Sequence, residues 1–200
     1  PTRYMTSSVD FDELQTMNDE VYAWIEVPGT VINYAVVQSA TDDLFYINHA
    51  VDKSYFSGGS IFSQRYNTTT FQDSMTVLYG HNSRSQAMFA QLNNFADASF
   101  FEQNQSIYIY TPEKVYEYQI FAAYPHSSDH LLLCNDFNDP DQFAAYFDSL
   151  ADGVNCNYRR DLFPQFGDKV LTLSTCYRQN RTQRFLVQGV LTQEYTVLKK

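Results

Sequence analysis

Residues 170–191 read VLTLSTCYRQNRTQRFLVQGVL. Over the first seven positions Val170, Thr172, Ser174 and Cys176 share one face of a period-two pattern, and Leu171, Leu173 and Thr175 share the other. Residues 184–191 again favour β structure, whereas the polar stretch 177–183 has no apolar periodicity and reads as a loop. A strand, a loop and a returning strand bring Cys176 and Arg184 to one rim. The thiolate is the attacking form of cysteine, and a fixed positive neighbour favours it. A guanidinium there can equally donate to the oxyanion that forms when a carbonyl is attacked, a role often worth ~3 kcal/mol of barrier. The plain alternative is a small buried cysteine and a solvated arginine at a strand end.

Two hundred residues suit a single domain, 1–200, with a normal core. Aromatic residues make up 16% of the chain, with 16 Tyr and 16 Phe against 7 Gly and 6 Pro, which indicates a mainly β fold and not disorder. The formal charge of −10 argues against a nucleic-acid partner or an anionic lipid surface. The acidic residues are scattered, and no calcium loop is present. Cys134, Cys156 and Cys176 form no C-x-x-C pair and no zinc-spaced set with histidine, so neither a metal nor a cofactor is implied. An odd count leaves at least one thiol outside any intramolecular bridge, and a Cys134–Cys156 pair stays open. No apolar run approaches the ~20 residues that span a bilayer.

Along the chain, residues 9–22 read as a helix with a partly apolar face formed by Phe11, Leu14 and Val21. Residues 24–27 and 30–38 read as strands separated by the turn pair Pro28-Gly29, and 41–49 as a short helical turn in which His49 is a surface residue. Residues 74–79 form a strand, after which Gly80 lets the chain turn so that His81 projects from its end. A histidine there can protonate a leaving amine and later accept a proton. Met88, Phe89, Leu92, Phe95 and Ala96 predict a core-packed helix within 85–101. Residues 107–110 and 115–124 alternate as a hairpin. His126 and His130 fall in a polar loop, PHSSDH, read as surface polarity rather than a metal site. Residues 140–150 form an amphipathic helix, and 158–168 a loop.

Two blocks, TLSTC at 172–176 with RFLVQG at 184–189 and TVLYGHN at 76–82, resemble the cysteine and histidine motifs of sortases, the cysteine transpeptidases of Gram-positive cell surfaces. The segment WIEVPGTVINYAVVQ at 24–38 is similar to the opening of a class B barrel, with Ala35 where family members often carry Pro. The helix before the cysteine strand also points to class B. The resemblance implies a closed eight-stranded, mostly antiparallel sortase-type β-barrel over 23–195, preceded by an N-terminal helical segment, 1–22, and flanked by peripheral helices. It implies that Cys176 attacks the Thr carbonyl of a C-terminal sorting signal to form a thioester, and that His81 serves the departing and incoming amines. Arg184 would hold the oxyanion and the substrate backbone, and is preferred over Arg178 and Arg181 because it begins a strand. Ser174, Asn82 and Thr175 are candidates for substrate binding or support. Many class B members have an acidic residue shortly after the cysteine, where Tyr177 and Arg178 stand here. The implied partners are surface proteins bearing a sorting motif, and a peptidoglycan precursor or a pilin as the accepting amine. The implied location is the outer face of the cell membrane, with an N-terminal anchor upstream. The alternatives are a plain cysteine peptidase and a non-enzymatic cell-surface binding barrel.

Overall fold

Asp10 fixes where the first helix begins. In the computed structural model, which describes residues 2–198, its carboxylate accepts the Glu13 N–H at 3.0 Å and so satisfies a donor that the first turn leaves unpaired. A two-residue strand, β1 (Tyr4–Met5), precedes this helix, α1 (Phe11–Met17). The expected helix over 9–22 therefore ends early. Asn18 takes an extended conformation, and its side-chain amide donates to Tyr46 Oη and to Val51 O, each at 2.7 Å. Tertiary partners for that amide outweigh another helical turn. Val21 and Tyr22 consequently open strand β2 (Val21–Glu26), two residues before the expected start of the barrel at 23.

The remaining elements are β3 (Asn33–Val37), β4 (Ile61–Phe62), β5 (Met75–Tyr79), α2 (Ala98–Gln103), β6 (Ser106–Tyr110), β7 (Lys114–His126), α3 (Leu131–Cys134), α4 (Pro140–Ser149), β8 (Asn157–Tyr158), β9 (Val170–Cys176) and β10 (Arg184–Val197). The order β10-β9-β5-β4-β3-β2-β6-β7, with β7 pairing back onto β10, closes eight strands into a barrel. β1 and β8 extend its rims by pairing with β10 and β7. The β3–β4 and β5–β9 pairs are parallel, so the barrel is mixed.

Alternation along β9 sorts its side chains into two apolar compartments. Leu171 and Leu173 point into the barrel with Ile25, Ile109, Tyr118, Phe185 and Val187. Val170 lies on the outer face, in a second cluster with Met75, Val77, Leu186, Phe143 and Phe147. The last two belong to α4, whose apolar stripe is the one the periodicity of 140–150 predicted. Asp139 caps that helix by accepting the Gln142 N–H at 2.8 Å. A buried chain of polar groups lies beneath it: Tyr146 Oη meets Tyr124 Oη at 2.6 Å, Tyr124 donates to Gln188 Oε1 at 2.9 Å, and Gln188 Nε2 donates to Thr172 Oγ1 at 2.9 Å.

The single helix expected within 85–101 divides. Residues 90–96 form a 3-10 turn and α2 begins at Ala98, because Asp97 between them accepts the Phe100 N–H at 2.8 Å and acts as a cap. Phe89, Leu92 and Phe95 are nevertheless buried in the barrel core.

Candidate active site

The parallel pairing of β5 with β9 decides what can meet. Tyr79 stands opposite Ser174, and the Gly80 N–H donates to Ser174 O at 3.2 Å, so both strands give out at the same rim. Cys176 ends β9 there and His81 follows β5. Gly80 is required for space: a Cβ on it would lie 2.6 Å from Ile61 Cδ1 and 2.7 Å from Phe89 Cγ. The antiparallel partner β10 then sets Arg184 directly opposite Cys176. Its Nη1 lies 3.7 Å from Cys176 Sγ. The juxtaposition read from the 170–191 stretch is thus a consequence of register.

Cys176, His81 and Arg184 line one cleft, together with Ser174, Tyr79, Leu186 and the edges of two loops. Within it the His81 ring is held by the loop wall: Nε2 lies 2.5 Å from Ile47 O. A carbonyl only accepts, so Nε2 carries hydrogen and the free lone pair of a neutral ring is at Nδ1. His81 thus shares the cleft with the thiol, and the one hydrogen bond of its ring among the described residues is to Ile47.

Ser174 borders the cleft and is 6% exposed. Thr175 borders it as well, at 2% exposure, and its hydroxyl is buried without a hydrogen-bond partner. Asn82 acts on the backbone: its Nδ2 donates to Cys176 O at 3.0 Å. The same carbonyl accepts from Asn93 Nδ2 at 3.3 Å, while Asn93 Oδ1 accepts the Arg178 N–H at 2.7 Å. Asn93 is a supporting residue that the sequence reading missed, since it fell within the helix expected over 85–101 but outside its apolar stripe. Arg178 turns away from the cleft, with Nη2 donating to Gln86 Oε1 at 3.1 Å and to Ala90 O at 3.2 Å. Arg181 is exposed and also lies outside the cleft.

The loop histidines are not idle surface groups. His126 pairs in register with Arg184, and His126, Asp129 and His130 all line the cleft. His130 caps α3, with Nδ1 accepting the Leu133 N–H at 3.3 Å and Nε2 bonded to Gln64 Oε1 at 2.7 Å. Burial pushes its pKa down, partly offset by a backbone hydrogen bond and by the Asp43 charge. Only the β7–β10 register could have revealed this loop as a wall. His49 is half-buried and stacks on Phe45 with ring centroids 4.0 Å apart, its Nδ1 lying 2.8 Å from Phe45 O. It thereby braces the turn that presents the Ile47 carbonyl to His81. Arg65 ties that turn to the next loop through Nε and Nη2 donations to Asp43 at 3.0 and 3.2 Å, which hold the Asp43 carboxyl below the usual carboxylate range.

The three cysteines are free. Burial pushes the Cys156 thiol up to about 11. Among the described residues no group of three His, Cys, Asp or Glu is placed to hold a metal ion. Such a rim can present a thiol beside a guanidinium and an imidazole to an extended chain laid in the cleft.

Comparison with known proteins gives one consistent result. The sortase domain family model matches residues 25–192. The chain is 29% identical over 181 residues to sortase B of Listeria monocytogenes, covering 90% of this chain and 72% of that protein. Its structure is similar to sortase B of Clostridium perfringens, with a TM-score of 0.82, 29% identity, and coverage of 92% of this chain and 100% of that one. It is also similar to a Streptococcus pyogenes class B sortase involved in pilus biogenesis, with a TM-score of 0.79, 31% identity, and coverage of 92% and 98%.

Proposed function

The chain belongs to the sortase family, and from that premise we propose that it is a class B cysteine transpeptidase whose nucleophile is Cys176. The thiolate attacks the Thr carbonyl of a sorting signal, and the tetrahedral oxyanion takes hydrogen bonds from the Arg184 guanidinium. The peptide C–N bond breaks as the imidazolium of His81 gives its proton to the departing amine, leaving a thioester. An incoming amine of a peptidoglycan precursor or a pilin attacks that carbonyl, loses a proton to His81 and releases the thiolate. Ser174 and Thr175 border the path of the peptide, and Asn82 steadies the Cys176 backbone. The partners are surface proteins bearing the sorting motif.

The observation that carries this reading is the 3.7 Å approach of Arg184 Nη1 to Cys176 Sγ in a cleft that also contains His81. For chemistry the His81 ring must either leave the Ile47 carbonyl, with peptide binding adjusting this wall, or serve through Nδ1 with that bond kept. The reading carries a cell-surface location with an N-terminal membrane anchor. Among the described residues no helix is long and apolar enough to cross a membrane.

The test is incubation with a library of five-residue sorting peptides, with and without added triglycine, followed by mass spectrometry. A thioester on Cys176 and a ligated product are expected. Acid product alone, at every triglycine concentration, would make the protein a peptidase. No covalent adduct with any peptide, together with unimpaired binding by Cys176→Ala, would make it a binding barrel.

A further inference from the structure

The cleft described above lies on one side of Cys176. On the other side is a second depression, which Cys176 also lines, together with Asn82, Ser83, Arg84, Gln86, Arg178 and Arg181. Its charged side chains are all arginine. None of the three appears in an ion pair among the described residues. Arg178 is fixed by donation to Gln86 and Ala90, whereas Arg84 and Arg181 are exposed. With Arg184 across the thiol, four of the chain's 13 basic residues surround Cys176, in a protein whose formal charge is −10. Uncompensated cations gathered at one point of an acidic chain form a local attractive field for an anion.

The two hollows have different characters. The cleft holding His81 and Arg184 is walled by Leu44, Ile47, Phe62, Leu131 and Leu186, which suits an extended peptide with apolar side chains. The arginine-lined hollow has no such wall and opens onto the same sulfur. We propose that it receives the second substrate, and that it selects an amine whose short carrier also bears a free carboxylate. This rests on the transpeptidase reading and adds the chemical class of its acceptor. In the step concerned the amine nitrogen forms a bond to the thioester carbonyl carbon and the C–S bond breaks. The electron pair returns to Cys176 Sγ, and the proton lost by nitrogen passes to His81. The carboxylate is unchanged throughout and only anchors the acceptor on Arg84 and Arg181. A bare amine lacks that anchor, although it meets the same thioester.

The test compares triglycine with triglycinamide, which offer the same amine with and without a carboxylate. Wild-type acyl-enzyme, loaded from a peptide that the library test identifies, should reach half-maximal ligation at about fivefold lower triglycine than triglycinamide, the size of effect an exposed charge pair supports. In the double variant Arg84→Gln/Arg181→Gln the ratio should fall to within about twofold of one, and raising the salt concentration should shrink the wild-type ratio too. A wild-type ratio near one, or a preference that survives the double substitution, would overturn the proposal.

A binding arm separates this proposal from the reading beneath it. On Cys176→Ala protein, triglycine should shift the side-chain Nε resonances of Arg84 and Arg181 in NMR spectra, and triglycinamide should not. Selective shifts without any thioester on the wild type would keep the anion site and remove the transpeptidase. A thioester without selective shifts would keep the transpeptidase and remove the site.

Discussion

Asn93 donates to the Cys176 carbonyl at 3.3 Å from the far side of the rim. Its Oδ1 accepts the Arg178 N–H at 2.7 Å, so one buried amide pins the chain on both sides of Tyr177 as it leaves β9. Asn93→Ala leaves the Arg178 N–H without its partner, which costs ~1–3 kcal/mol. It also loosens the backbone that aims the thiol, and misplacement of that kind lowers turnover by about 10²-fold. The expected result is a lower Tm together with a fall in kcat larger than any change in peptide KM. A variant with wild-type kcat and only a lowered Tm would reduce Asn93 to a fold-stabilising residue.

Arg184 and Cys176 face each other across β9 and β10, and what the guanidinium offers is a planar fork of donors at a fixed height. Arg184→Lys keeps the charge and loses the fork, and the ammonium would be a hydrated point charge on a longer leash. Loss of a donor to an oxyanion costs about 10²–10³ in rate. A fall of about 10² in kcat/KM is expected, with an unchanged circular dichroism spectrum. Near-normal turnover would take Arg184 out of the site.

Thiol-specific alkylation should discriminate among the cysteines. Cys156 is half-buried and its thiol is pushed up to about 11, so it should label last. Cys134 is exposed, and it is the more accessible competitor of Cys176. With limiting iodoacetamide at neutral pH, peptide mapping should find Cys176 modified first and Cys134 second. Cys176→Ala should keep the fold, because the asparagine clamps hold the backbone carbonyl and not the sulfur. Faster labelling of Cys134 or Cys156 would count against Cys176 as the nucleophile.

What was legible in the chain was whatever depends on local period. Alternation along 170–176 and 184–191 placed Cys176 opposite Arg184, and α4 followed from its apolar stripe. What was illegible depends on pairing at a distance. Nothing local says that β5 runs parallel to β9, so the common rim of His81 and Cys176 came from family resemblance and not from spacing. Nor does PHSSDH announce that β7 and β10 carry it to Arg184. Helix ends failed where a polar side chain bonded elsewhere than the reading assumed: Asn18 found tertiary partners and stopped α1, and Asp97 bonded locally as a cap. Gln188, fully buried, read as part of a motif and proved to be the bridge between Tyr124 and Thr172.

His130 gives the cleft wall a dependence on pH. Its Nδ1 accepts the Leu133 N–H that begins α3, and an imidazolium has no lone pair with which to do so. Burial lowers its pKa below the ordinary 6.5, so as pH falls past that value the unfolded chain takes up a proton that the folded one refuses. Stability contributed by the neutral ring therefore declines from about pH 6.5 downward, and the decline stops once pH is below the folded pKa. His130→Asn keeps a side-chain acceptor at the helix cap and does not titrate. Wild-type Tm should drop more steeply than that of the variant between about pH 6.5 and 5, while carboxylates such as Asp43 affect both alike. Peptide KM should rise over the same interval in the wild type and much less in the variant, because α3 carries Leu131 into the cleft. Parallel Tm and KM profiles for the two proteins would show that His130 does not set the pH response of this wall.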